Sequence, residues 1–209
     1  MIVAVDGPAA SGKGTLARRL ARHFGLNYLD TGSLYRAVAL RALTAGADPA
    51  DPAAAVAAAR QVEVGDLDDL RLRDDKVAQA ASVVAAIPGV RAALLAFQRD
   101  FARRGEGAVL DGRDIGTVVC PDADAKVFLT ATVEARAMRR FKELQARSAA
   151  AIYERVLQDM KLRDARDRER HTAPLVRASD AFELDTTALD ADAAFVAVLR
   201  FIGERRQRR

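Results

Sequence analysis

The chain has 209 residues, half of them hydrophobic and 30% charged, which excludes a disordered polymer and suffices for a sizeable core in one domain. Lys and Arg number 33 against 29 Asp and Glu, so the net charge is +4, a balance that suits small anionic ligands as well as nucleic acid. A lone cysteine, Cys120, excludes an internal disulfide and a zinc cluster and fits a reducing cytosol, and neither a membrane-length apolar stretch nor a signal-peptide pattern is present.

Ile2 to Val5 is an apolar, β-branched run that reads as a strand buried on both faces. A glycine-rich stretch follows, Gly7 to Gly14. From Thr15 to Phe24, Leu16, Ala17, Leu20, Ala21 and Phe24 recur at helical spacing, with Arg18, Arg19 and Arg22 on the other face. Asn27 to Leu29 predicts a short strand, and Thr31 or Ser33 is placed to cap a helix through Leu34, Val38 and Leu43. Gly46, Asp48-Pro49 and Asp51-Pro52 mark a loop before an alanine-rich helix over 53–60. Residues 62–72 read as a small hairpin remnant. Two helices are expected over about 76–86 and 88–103, the second opened by Pro88.

Strands are predicted at Ala108 to Asp111, Ala125 to Thr130 and Ala181 to Leu184. A helical stretch over about 133–170 is expected to break near Ser148, and a last helix spans about 191–204. Strands alternating with helices imply an α/β fold with a parallel sheet covered on both sides. The basic end, Arg205 to Arg209, reads as a solvated tail. His23 and His171 have no metal-type partners, and Cys120, at the end of an apolar run before Pro121, reads as packing.

Gly7-Pro8-Ala9-Ala10-Ser11-Gly12-Lys13 matches GxxxxGK between a strand and a helix. The chemistry needs that order: the backbone wraps close to phosphates, its N–H groups point inward, the helix adds its positive dipole end, and the lysine reaches the β- and γ-phosphates. The position after the lysine, where the general motif has a Mg²⁺-binding hydroxyl, is Gly14, followed by Thr15. That suggests a metal held mainly by phosphates and water, with Thr15 and Asp111 as the nearest protein groups. Asp111 ends an apolar strand, a place where carboxylates also occur for purely structural reasons.

Leu29-Asp30-Thr31-Gly32-Ser33-Leu34-Tyr35-Arg36, Leu110-Asp111-Gly112-Arg113-Asp114-Ile115-Gly116-Thr117 and Arg163-Asp164-Ala165-Arg166-Asp167-Arg168-Glu169-Arg170 come in order after the glycine loop. With it, and with Ala80 to Ser82 and Pro88 to Arg91, they resemble bacterial cytidylate kinases over nearly the whole chain. The resemblance implies the P-loop nucleoside monophosphate kinase fold. Its parts are a core (about 1–30, 105–135, 180–209), a helical acceptor-binding lobe (about 31–104) and a short lid region (about 136–175). It implies transfer of the ATP γ-phosphate to CMP or dCMP with Mg²⁺, in a cytoplasmic monomer with no nucleic-acid or membrane partner.

The resemblance also implies roles. Gly7, Pro8, Ala9, Ala10, Ser11, Gly12, Lys13, Gly14 and Thr15 bind ATP. Arg36 and Arg113 hold the acceptor phosphate, for which guanidinium forks are suited. Ser82, Arg91 and Asp114 meet the cytosine, and Thr31 and Tyr35 line the pocket. Arg163, Asp167 and Arg170 close around sugar and phosphates. Lys13, Arg36, Arg113, Arg163 and Arg170 carry the catalysis. Residues 163, 166, 167 and 170 share one helix face, and Arg136, Arg139 and Arg140 form a similar cluster; a solvated, alternating-charge surface fits the same spacing. The short 62–72 segment leaves little room for the antiparallel insertion usual in these kinases, so a pared-down member is expected. Other small acceptors, such as shikimate, gluconate or AMP, and a non-enzymatic nucleotide- or RNA-binding module remain as alternatives.

Overall fold

The computed structural model describes residues 1–147 and 150–207. Five strands, β1 (Ile2–Asp6), β2 (Asn27–Asp30), β3 (Ala108–Gly112), β4 (Ala125–Thr130) and β5 (Phe182–Asp185), form one sheet of order β2-β3-β1-β4-β5. Every pairing is parallel. β1 and β3 are central and buried on both faces, which is why they read as unbroken apolar runs.

Alternate residues of the strands feed two cores. Ala4, Leu29 and Leu110 pack with α2 (Thr31–Thr44), α3 (Pro52–Arg60), α4 (Asp75–Val84) and α5 (Pro88–Ala102). Val3, Val5, Val109, Val127 and Leu129 face α1 (Lys13–Phe24) and α8 (Ala191–Gln207). Leu110 is wholly buried, and truncating such a side chain to alanine costs about 2–5 kcal/mol. The stretch expected to be helical over 133–170 is two helices, α6 (Val133–Gln145) and α7 (Tyr153–Glu169). Ser148, near which the break is expected, lies outside the described residues, as do Arg208 and Arg209. Arg205 and Arg206 lie in the last turn of α8, where Arg206 is exposed to solvent and Arg205 pairs with Asp180 at 3.1 Å.

Two local expectations are corrected. α2 begins at Thr31 with Asp30 in the cap position, so neither Thr31 nor Ser33 caps it: Thr31 Oγ1 donates to the Asp111 carbonyl at 2.7 Å and Ser33 Oγ to the Asp30 carbonyl at 2.5 Å. Residues 62–72 are no hairpin remnant but two 3₁₀ turns, Val64–Asp68 and Leu70–Arg73. Aspartates divert the backbone from strand pairing there. Asp66 accepts the Glu63 N–H at 2.8 Å while Arg41 grips its carboxylate, and Asp69 accepts the Arg71 N–H at 2.8 Å.

Candidate functional site: a phosphate loop facing an arginine cleft

The loop between β1 and α1 runs over the carboxyl end of the sheet, beside the point where the chain order reverses between β1 and β3, a place where open α/β sheets bind ligands. Two glycines set its path. A Cβ on Gly7 would stand 2.2 Å from the Leu129 carbonyl oxygen, and Gly12 has φ +89°. Lys13 opens α1, and its Nζ donates to the Pro8 carbonyl at 2.7 Å. Burial, joined by the nearby Arg113 guanidinium, pushes Lys13 down to about 7 against the opposing pull of Asp111. A phosphate brought to this loop adds negative charge and reverses that shift.

The register of β2 on β3 places Asp30 beside Asp111, so two carboxylates end neighbouring strands. A Cβ at Gly14 would lie 3.2 Å from Asp111 Oδ2 and 3.6 Å from the Tyr28 hydroxyl, and that hydroxyl donates to Asp111 at 3.1 Å. Burial, then the Asp30 carboxylate, push Asp111 up to about 7. Burial also works to raise Asp30, but Arg36, bonded to it at 2.6 Å, holds it below the usual carboxylate range. Thr15 is not brought to Asp111. It is exposed on the other flank of α1, lining a pocket of about 450 Å³ with Ser11, Arg139, Thr186 and Leu189.

A larger cavity of about 1000 Å³ opens between the loop and the helical segments, lined by Lys13, Gly14, Asp30, Arg36, Asp111, Arg113, Arg140 and Arg163. Arg113 donates from Nε to Asp167 at 2.8 Å, and Asp167 and Asp111 keep it firmly charged although burial opposes this. Arg163 has no such ion pair among the described residues: burial and the neighbouring Arg113 push it down to about 10, and its Nε finds no hydrogen-bond partner there. Lys13, Arg36, Arg113 and Arg163 line one cleft beside carboxylates that include Asp30 and Asp111, and a guanidinium without a hydrogen-bonded carboxylate among the described residues, that of Arg163, suits an anionic ligand.

Beside this cleft lies a buried polar cluster. Arg91 is ion-paired with Asp114 and donates to the Ala85 carbonyl at 3.3 Å, with its guanidinium 5.4 Å from the centre of the Tyr35 ring. Arg170 approaches Asp114 at 3.7 Å and donates to the Ala173 carbonyl at 2.7 Å. The Ser82 hydroxyl and Arg170 Nη2 are buried without a hydrogen-bond partner among the described residues. Buried polar groups of this kind ordinarily find partners, so these atoms mark where a polar ligand would be held. Sequence segments up to 88 positions apart, from Ser82 to Arg170, thus meet at one place.

Four groups were not singled out by sequence. Asp6, last in β1, accepts the N–H groups of Ile115 and Gly116 at 2.8 Å each, and burial pushes it up to about 6. Tyr28 and Asp30 gather at Asp111. Thr186 joins the loop to α6, its hydroxyl donating to the Ser11 carbonyl at 3.0 Å while Arg139 donates to it at 3.2 Å. Only Asp30 carried a signal, as the first residue of the Asp-Thr-Gly segment. Arg136, which the solvated-surface alternative would expose, is buried and paired in two bonds with Asp164 at 3.0 and 2.6 Å. His23 and His171 are exposed, and Cys120 is buried in the core.

A parallel sheet in this order, with a lysine-bearing loop on its central strand and an arginine-lined cleft opposite, defines the molecule as a P-loop phosphotransferase. A solved gluconokinase from Sinorhizobium meliloti shares the fold, at a TM-score of 0.50 and 16% identity over 97% of this chain and 91% of its own. A family model described as cytidylate kinase matches residues 3–203, and the chain belongs to that family. It is 62% identical over 208 residues to a cytidylate kinase of Paramagnetospirillum magneticum, covering 98% of this chain and 99% of the relative. It is 60% identical over 199 residues to one of Methylocella silvestris, covering 95% and 92%. The compact 62–72 segment is therefore no truncation relative to the first of these, whose length is matched almost end to end.

Proposed function

We propose that the chain transfers the γ-phosphoryl group of ATP to the 5′-phosphate of CMP or dCMP, giving ADP and CDP or dCDP. One observation carries the reading: Arg113, which lines the cavity with Lys13, Arg36 and Arg163, directly precedes Asp114 of the buried Arg91–Asp114 pair, and its partner Asp167 acts on Arg91 and Arg170 as well. A phosphate in the cleft and a base against that pair fit a nucleoside monophosphate. Asp114 only accepts and Arg91 only donates, which matches the cytosine amino group on one side and N3 or O2 on the other. The donor nucleoside fits the pocket across the loop, between Thr15, Arg139, Thr186 and Leu189.

In this reading residues 31–104 are the acceptor lobe, 136–175 the lid, and the sheet with its flanking segments the core. Donor-side and acceptor-side residues come from one chain, so the single chain is the working unit. The loop amides and Lys13 hold the donor phosphates. Arg36 and Arg113 orient the acceptor phosphate, and Arg163 adds charge between the two. The attacking phosphate oxygen is already ionised, so no general base is needed. The lid arginines shut out water, which would otherwise consume ATP unproductively. Asp111, beside Gly14, and Asp30, next to Asp111 through the register of β2 on β3, are the hard oxygen donors a magnesium ion takes, and they would hold it through water, with Thr15 on the other flank. When bound, that ion neutralises charge on the donor phosphates.

The test is a coupled ADP-release assay with ATP and magnesium against CMP, dCMP, UMP, AMP and shikimate. Turnover with CMP and dCMP well above the rest supports the assignment. Preference for AMP or shikimate, or no turnover by folded protein, overturns it.

A further inference from the structure

Arg136 and Asp164 have no place in the chemistry described above, yet their burial is deep and their pairing complete. Arg136 leaves α6 and is 2% exposed; Asp164 leaves α7 and is 6% exposed. Two hydrogen bonds, at 3.0 and 2.6 Å, join the guanidinium to both carboxylate oxygens. The same guanidinium donates from Nε to the Ala131 carbonyl at 3.0 Å and from Nη1 to the Ala9 carbonyl at 3.3 Å. Ala9 belongs to the phosphate loop. Ala9 and Ala10 also pack against the small core of Ala137, Val156 and Met160 that joins the two helices. One arginine therefore ties α6, α7 and the crest of the loop together.

Asp164 is next in sequence to Arg163, which lines the cleft without a carboxylate bonded to it among the described residues. Successive helix residues point about 100° apart, so anchoring Asp164 sets the direction of Arg163. We propose that Arg136 and Asp164 are positioning residues for phosphoryl transfer: their pair fixes Arg163 at a set height above the phosphate loop by way of the Ala9 carbonyl. The inference rests on the proposed function and deepens it. A buried pair is a costly way to hold two helices together, since apolar side chains of similar size do so at least as well. It does fix direction, which reacting phosphates need and bare stability does not.

The experiment is a double-mutant cycle read by steady-state kinetics with ATP, magnesium and CMP, with Asp164→Asn made in the unmodified protein and in Arg163→Lys. Asp164→Asn is expected to lower kcat on the order of 10- to 100-fold, as for a misplaced catalytic group. KM for CMP stays within about twofold, and in the Arg163→Lys background the further loss is also no more than about twofold. Equal losses in both backgrounds, or an unchanged kcat in folded Asp164→Asn, overturn the inference and leave the pair a purely structural one. Arg136→Lys, which keeps the charge but loses the fork, runs through the same cycle if Asp164→Asn does not fold. No CMP turnover by the unmodified protein would instead overturn the proposed function, and this inference with it.

Discussion

Asp6 accepts the Gly116 N–H through Oδ2 and the Ile115 N–H through Oδ1, both at 2.8 Å. The residue just before the phosphate loop thereby holds the turn that follows Arg113 and Asp114, so the loop and the Arg113–Asp114 segment share one buried carboxylate. Asp6→Asn presents an amide N–H to one of those backbone donors. The loss of one buried hydrogen bond is worth about 1–3 kcal/mol. KM for CMP should rise roughly tenfold or more while KM for ATP changes little. Steady-state kinetics with each substrate varied decides this, and a rise confined to ATP would contradict the link.

Lys13 opens α1 directly after the phosphate loop, and its Nζ lies on the Pro8 carbonyl. Lys13→Ala should fold and lose turnover on the order of 10³-fold, the scale for removing one charge that stabilises the transition state. Circular dichroism establishes the fold and the coupled assay the rate. Near-normal activity would remove Lys13 from the chemistry.

Arg36 and Arg113 line the same cavity, bonded to Asp30 and Asp167. Lysine at either position keeps the charge and loses the planar fork. The expected result is a fall in kcat/KM for CMP on the order of 10²-fold with the dissociation constant of ATP nearly unchanged. Calorimetric titration with ATP separates the two sites. A collapse of ATP binding would mean that donor and acceptor sites are interchanged.

Asp114 is bound to Arg91 and neighboured by Arg170. Alanine would break the buried pair with Arg91, which destabilises by about 3–5 kcal/mol, so Asp114→Asn is the better probe. Asparagine can donate to the uracil O4, which an aspartate would repel. The unmodified protein should prefer CMP over UMP by on the order of 10² or more, and Asp114→Asn should narrow that ratio, chiefly by lowering CMP efficiency. An unchanged ratio would show that Asp114 does not read the base.

Asp111 links the site to stability. Its ordinary value is 3.8, and burial with Asp30 alongside pushes it up to about 7 in the folded chain. Between those values the folded protein keeps a proton that the unfolded chain has released. The stability this gives is fully present below the ordinary value and is lost as pH rises through about 7. Asparagine resembles the protonated form. Asp111→Asn should therefore match the unmodified protein near pH 4 and exceed it by on the order of 4 kcal/mol near pH 8. Denaturant melts across that range measure the difference, and a constant offset would sink the argument.

What the sequence determined by itself is what short range can decide. The strand, the glycine loop and the amphipathic face of Leu16, Ala17, Leu20 and Ala21 are contiguous, so residue type and spacing alone specify them. The Asp-Thr-Gly and Asp-Gly-Arg-Asp segments are legible for the same reason. Tertiary structure alone decided which of these parts meet. Asp30 reaches Asp111 through the register of β2 on β3, and Thr15 turns away from Asp111 because one step along a helix rotates a side chain by about 100°. Arg136 shows the limit most plainly. A charge pattern along a helix looks the same whether water or a carboxylate 28 positions away satisfies it, and only packing of α6 on α7 and the phosphate loop selects the carboxylate.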